Sequence, residues 1–241
     1  MTDDHPVPVE RLVHAASAVF ALVFALLAAS LIAQLATSVA VGIGVVAPET
    51  NAFTLLRTVA SFVGFLPAVV GYLVITDQRD LVSVSVPSLR EVGLIVGAAV
   101  VLYGLQIVLL LALREFGLGT GQNPATTPAG DPVVYFTAMI AVSLFLVGPA
   151  EELLLRGVAQ GGLRRSFDAA PAILIAALMF GALHGNVEGT VVEQVAYMGV
   201  TVILGAILGV LYEKTENVLV PGFAHGLYNA IIFTGLLWRV L

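Results

Sequence analysis

Long apolar runs dominate this chain. Residues 12–46, 52–76, 90–113, 191–212 and 218–240 carry very few charged side chains, and a helix needs about 20 such residues to cross the roughly 30 Å hydrocarbon core of a bilayer. Charged residues make up only 11% of the 241, against about 25% in soluble domains, and mean hydropathy is +1.02. Lipid, rather than a globular core, is therefore the main solvent. The expected fold is all-α, a polytopic transmembrane helical bundle of about seven to eight spanning helices, organised as a single integral membrane domain over residues 1–241.

The first apolar run, 12–46, is longer than one straight span requires, and splitting it would give the eighth helix. A fourth helix begins near Val133, runs through Val147 and continues across Gly148-Pro149 into EELLLRGVAQGGLRR. A short fifth covers 171–184. Pro67 should kink the second helix, and Pro149 should kink or restart the fourth just before Glu151. The stretch GLGTGQNPATTPAGDP before the fourth helix has the composition of a flexible surface loop. With seven helices and the N-terminus inside, the inner loops hold Arg11, Arg79, Arg90, Arg164, Arg165 and Lys214, and the outer ones Arg57, Arg114 and Arg239. That excess places the N-terminus in the cytoplasm of a multi-pass cell-membrane protein. The opening MTDDHPVPVER lacks the basic start of a cleaved signal peptide, so the first helix is read as retained. No inverted repeat of the transporter kind is visible.

The absence of cysteine excludes disulfides, thiolate metal ligands and a cysteine nucleophile. A net charge of -6, with no cationic cluster beyond Arg164-Arg165, excludes a nucleic-acid footprint. Three polar clusters then stand out, because ionisable groups at bilayer depth are costly and functional need is their default explanation. Glu151-Glu152 is followed by Arg156, His184 follows Phe180 by four residues, and Asn229 follows His225 by four. Adjacent helical residues project about 100° apart, so the two glutamates should have different roles. Glu152 and Arg156 stand at the spacing of a helical ion pair. That leaves Glu151 unexplained, and a desolvated carboxylate is what general-base activation of water needs.

Each remaining residue has a structural explanation when taken alone. His184 suits a membrane interface, Phe180 could fix its ring by packing, and Asn229 suits an interhelical hydrogen bond. Together they supply a base, an electrophile or metal ligands, and donors for an oxyanion. His5 and His14 read as surface or interface residues, and Gln34, Gln106, Ser143 and Gln194 as side chains satisfied within helix packing. The glycines at 148, 157, 161 and 162 read as sites of close helix approach or fraying.

EELLLR at 151–156, FGALH at 180–184 and HGLYN at 225–229 resemble, in order, the motifs EExxxR, FxxxH and HxxxN of the CPBP family of intramembrane proteases, which includes the CAAX prenyl endopeptidases. The resemblance covers residues 133–240. It implies that Glu151 activates the attacking water with His184, that Glu152 helps to position the site, and that His225 and Asn229 stabilise the oxyanion, with Arg156 and Phe180 in support. It leaves two versions open. Glu151, His184 and His225 could hold Zn2+ with one position open for water, or a metal-free glutamate mechanism could use the same residues, and the family's archaeal relatives favour the latter. The implied partners are the bilayer and a peptide or protein substrate with a hydrophobic or prenylated C-terminus. A water-filled funnel should reach Glu151 from one face, because irregular backbone at membrane depth is tolerated where it lines a cavity. The alternatives are a non-catalytic relative, such as a bacteriocin-immunity or scaffold protein, and a proton-coupled carrier.

Overall fold

The computed structural model describes residues 8–241, so His5 and the acidic stretch around it lie outside the described residues. Seven apolar helices follow: α1 (Pro8–Gly42), α2 (Asn51–Ile75), α3 (Leu89–Glu115), α4 (Pro132–Leu163), α5 (Ala169–Leu183), α6 (Val191–Thr215) and α7 (Leu219–Trp238). Six of them are long and apolar enough to cross a membrane, whereas α5, with 15 residues, is too short. The first apolar run is one unbroken 35-residue helix, so no eighth helix arises from it.

Local chemistry sets the helix starts. Ser88 accepts from the Glu91 backbone N–H while the Glu91 side chain accepts from Ser88, and Thr190 and Glu193 repeat that capping box at α6. Asp131 caps α4 and is followed by Pro132, whose missing donor costs nothing in a first turn. Large apolar side chains such as Phe20, Leu27, Val100, Leu111 and Phe145 stay exposed, as a lipid-facing surface requires. Between helices the contacts are small or tightly fitted. Ala21, Ala25 and Ala29 of α1 pack with Phe65, Val69 and Tyr72 of α2.

Polar contacts sort the loops onto two ends. His14 meets Ser166 at 2.9 Å, Arg165 pairs with Asp80 at 2.8 Å, Arg164 with Glu213 at 3.2 Å, and Asn217 holds both backbone groups of Ser85. The start of α1 and the α2–α3, α4–α5 and α6–α7 connections thus share one end. At the other end the backbones of Gln122 and Glu188 exchange hydrogen bonds of 2.7 and 2.9 Å, joining the α3–α4 connection to the α5–α6 one. The Gly/Pro/Thr-rich stretch is therefore no free surface loop. Asn51 bonds to Asp131 and Ala129, and Tyr135 bonds to the Ala125 carbonyl, which hold it over the bundle.

Pro149 does not break α4. The helix widens instead, into π-helical turns at Ser143–Val147 and Leu153–Gln160 on either side of the regular turn Gly148–Glu152. A π turn absorbs an extra residue without ending the helix, and such turns gather at functional sites. Beside them α4 crosses α7 at backbone distance. A Cβ on Gly148 would lie 2.5 Å from the Gly222 carbonyl oxygen, and one on Gly226 would lie 2.7 Å from that of Ser143. Gly222 and Gly226 form a GxxxG pair, the spacing that lets apolar helices approach closely. Gly226→Ala should therefore destabilise the protein by about 1–3 kcal/mol through overpacking. Gly235→Ala, where a Cβ meets nothing within 4 Å, should be nearly neutral. Thermal melting of the two variants in detergent checks the pair, and equal melting temperatures would remove the crossing as a constraint.

Candidate active site

The π-flanked turn of α4 splits its two glutamates. Glu152 faces inward and is fully buried, with Oε2 2.8 Å from Arg156 Nε and Oε1 3.1 Å from His225 Nδ1. The expected four-residue ion pair is present, and α7 adds a third member to it. The Arg156 contact is one of charge rather than a directed hydrogen bond. Its Nε, Nη1 and Nη2 have no hydrogen-bond partner among the described residues. Its guanidinium carbon lies 5.4 Å from the centre of the Phe180 ring, whose face is attractive to a cation.

Glu151 takes the other direction and keeps partial exposure. Its Oε2 is buried without a hydrogen-bond partner among the described residues, and it lies 4.0 Å from His184 Nε2. His184 is the C-cap of α5, and its Nδ1 lies 2.9 Å from the Phe180 carbonyl oxygen. A carbonyl can only accept, so Nδ1 carries a proton and Nε2 is the ring nitrogen turned toward Glu151. Direct hydrogen bonding needs about 3 Å. A 4.0 Å separation suits one water bonded to both groups.

Phe180 is the hub of the aromatic contacts. Its ring lies 4.3 Å from that of His184 and meets the His225 ring edge-on at 5.5 Å. Gly205 of α6 makes room for it, since a Cβ there would stand 2.8 Å from Phe180 Cδ1. One side chain thus fixes both histidines and covers Arg156, where sequence spacing linked it to His184 alone.

A cavity of about 620 Å³ opens over these groups, and Glu151, His184, His225, Tyr228 and Asn229 are among its walls. Asn229 stands one turn from His225 and reaches the cavity, and no side-chain hydrogen bond holds it elsewhere among the described residues. The cavity occupies the space left by the short α5. Residues 120–123 of the α3–α4 connection line its mouth, where Asn123 donates to the Tyr197 hydroxyl at 3.2 Å. Gln106 and Ser143, which read as packing residues in the sequence, also line it. Sequence reasoning passed over Tyr228, although it lies inside HGLYN, and Tyr197 and Asn123 carried no signal beyond polarity.

The zinc version can be tested against the donor set. Tetrahedral zinc holds nitrogen and oxygen donors at about 2.0–2.2 Å. Among the described residues no group of three or more His, Asp or Glu side chains could hold a metal ion. Glu152 holds His225 Nδ1 and the Phe180 carbonyl holds His184 Nδ1, which leaves Nε2 as the available donor of each ring, and Glu151 Oε2 stands 4.0 Å from His184 Nε2. As placed, the three side chains are not gathered round one ion, and no step below runs through a metal.

The comparisons with known proteins match this geometry in extent. Residues 133–231, from the start of α4 into α7, match the Rce1-like family, described as type II CAAX prenyl endopeptidase Rce1-like. The chain is also similar to YdiL of Bacillus subtilis (strain 168), named as a candidate membrane peptidase, with 25% identity over 122 residues. That alignment covers 50% of this chain and 47% of the relative, so the chain spans about half the length of the curated relative it matches. No solved structure matches. The likeness carried by EELLLR, FGALH and HGLYN is therefore borne out as a similarity to the Rce1-like family over the continuous segment 133–231, which holds all three motifs.

Proposed function

We propose that the protein is an intramembrane endopeptidase of the CAAX protease type, hydrolysing a peptide bond in a membrane-associated or prenylated substrate with water activated by Glu151. One observation carries the reading. Glu151 Oε2 is buried, has no hydrogen-bond partner among the described residues, and faces Nε2 of His184 across one water's width at the wall of a cavity. A buried, unpartnered carboxylate oxygen needs an explanation, and a bound water supplies it.

In this mechanism Glu151 removes a proton from the water as its oxygen attacks the scissile carbonyl carbon, while His184 Nε2 accepts the second hydrogen bond and aims the lone pair. The carbonyl π bond breaks and leaves an oxyanion facing His225 and Asn229. Asn229 donates from its amide. His225 donates from Nε2 as an imidazolium, with the Glu152 carboxylate on Nδ1 as counter-charge. When the tetrahedral intermediate collapses, the C–N bond breaks and Glu151 returns its proton to the departing amine. Arg156 balances Glu152 and so frees Glu151 from any structural ion pair.

Glu151→Gln and His184→Ala should each lower cleavage of a quenched farnesylated peptide by about 10²–10⁴-fold. Asn229→Ala should lower it by about 10²–10³-fold. Unchanged rates in well-folded Glu151→Gln would sink the catalytic role. The wild-type rate should persist in chelator; its loss, with metal bound one to one beforehand, would replace this mechanism with a metal-dependent one.

Arg156→Leu should destabilise the protein by about 3–5 kcal/mol, because Glu152 keeps a buried charge without its cation. Adding Glu152→Leu should restore part of the loss, read by unfolding in detergent. A double variant less stable than the single would show that Glu152 does not depend on Arg156.

The end that bears Arg11, Arg79, Arg90, Arg164, Arg165 and Lys214 is proposed as cytoplasmic, which places the cavity mouth on the opposite side of the cell membrane. The cysteine-free chain permits a clean test. Ala129→Cys should react with a membrane-impermeant maleimide on intact cells, and Lys214→Cys only after lysis. The reverse pattern would invert the topology.

A further inference from the structure

Glu151 and His184 line a second cavity besides the large one. It measures about 250 Å³ and lies toward α1 and α2, where Leu26, Ala29 and Ser30 oppose Ser61, Phe62 and Phe65. These residues fall near the middle of α1 (Pro8–Gly42) and α2 (Asn51–Ile75), so the cavity sits close to the bilayer midplane. It opens toward lipid, with Leu26 37% exposed. Apart from the glutamate and histidine, its only side-chain polar groups are two serine hydroxyls, and Ser61 already donates to the Arg57 carbonyl. The remaining walls are Leu154, Leu155 and Leu183.

We infer that this cavity is the specificity pocket of the peptidase proposed above: it takes one large apolar side chain flanking the scissile bond, presented by a lipid-embedded peptide segment. The inference rests on that catalytic reading for the meaning of the bond, and on geometry for the place. A carbonyl within reach of water between Glu151 and His184 has neighbouring Cα atoms about 3.8 Å apart. A side chain on one of them therefore enters a pocket walled by the same two residues. The volume equals that of about eight waters at roughly 30 Å³ each, room for a leucine, methionine or phenylalanine side chain. A helix, about 10 Å across, does not fit, so the segment must unwind locally to be cut. Beyond the Glu151–His184 pair, the hydroxyl of Ser30 is the one side-chain group left to meet a polar side chain inside. Because lipid is as apolar as the pocket, selection works by shape and removal of polar groups, and the expected preference for a large apolar residue over alanine is about tenfold or more.

Two substitutions outside the catalytic machinery change the pocket in opposite directions. Ser61→Phe fills it from a position that packs no core, and Phe62→Ala enlarges it. A mixture of synthetic apolar peptides is digested in detergent by each protein, and the residues flanking every cleaved bond are read by mass spectrometry. Ser61→Phe should shift the flanking preference from Leu, Met and Phe toward Ala by about tenfold, while Phe62→Ala should admit Trp. Unchanged profiles in both active variants overturn the pocket and leave the peptidase intact. A second readout needs no turnover: an apolar peptide with benzoylphenylalanine at its centre, irradiated with Glu151→Gln protein, should cross-link to residues 26–30 or 61–65. Cross-links confined to α6 and α7 overturn the pocket even if no peptide is cleaved.

Discussion

A buried charged cluster organises the middle of this protein. Glu152 contacts Arg156 on its own helix and His225 on α7, and all three side chains are buried. In hydrocarbon such groups have no solvent to fall back on, so each is tolerable only while its partners are in place. The requirement fixes two helices relative to each other in depth and rotation. It is met because Gly148, Gly222 and Gly226 let α4 and α7 approach backbone to backbone. Short contact and buried charge are thus one device: the glycines bring the helices close enough for the charges to meet, and the charges set the register of the contact. Arg156 then lies under the Phe180 ring, which couples α5 to the same centre.

The regular turn between the two π turns points the neighbouring glutamates in different directions. With all of Glu152 committed inward, Glu151 has no cation of its own, and its Oε2 is left for something that is not protein. A continuous α-helix through Pro149 would have to lose hydrogen bonds at the proline or break. Widened turns on both sides keep the helix whole while loosening the backbone beside the cavity. The short α5 provides the complementary space, since a spanning helix in that position would fill the cavity with its own side chains.

Much of this was legible in the residues. The approximate helix limits were, because spanning a bilayer demands apolar length, and the caps at Ser88, Asp131 and Thr190 then fix the starts of α3, α4 and α6 in the structure. The divergence of Glu151 and Glu152 followed from 100° per residue, and the contact of Glu152 with Arg156 from their spacing. The π turns were not legible, since one extra residue per turn leaves hydropathy unchanged. Nor was the place of residues 117–132. A polar, proline-rich connection has the same composition whether it lies in bulk water or over a cavity, and its contacts with Glu188, Asn51 and Tyr135 separate the two. The pairing of His225 with Glu152 depends on which face α7 turns to α4. That was written in Gly222 and Gly226, a spacing the polar residues between and after them drew attention away from.

Phe180 shows why the site cannot be divided into catalytic and structural residues. Its carbonyl holds His184 Nδ1, which decides the tautomer, and its ring touches both histidines and Arg156. Replacing the ring by a smaller apolar group leaves the carbonyl in place, so the tautomer survives while the orientation of His184 and the cover over Arg156 are lost. The expected consequence divides accordingly: a fall in turnover from a misaimed imidazole, and a fall in stability from a buried cation that loses its aromatic face. That the same side chain carries both follows from the scarcity of polar support inside a membrane, where a ring that packs, orients and attracts a cation supplies in one residue what hydrogen-bonding side chains supply in water-soluble sites.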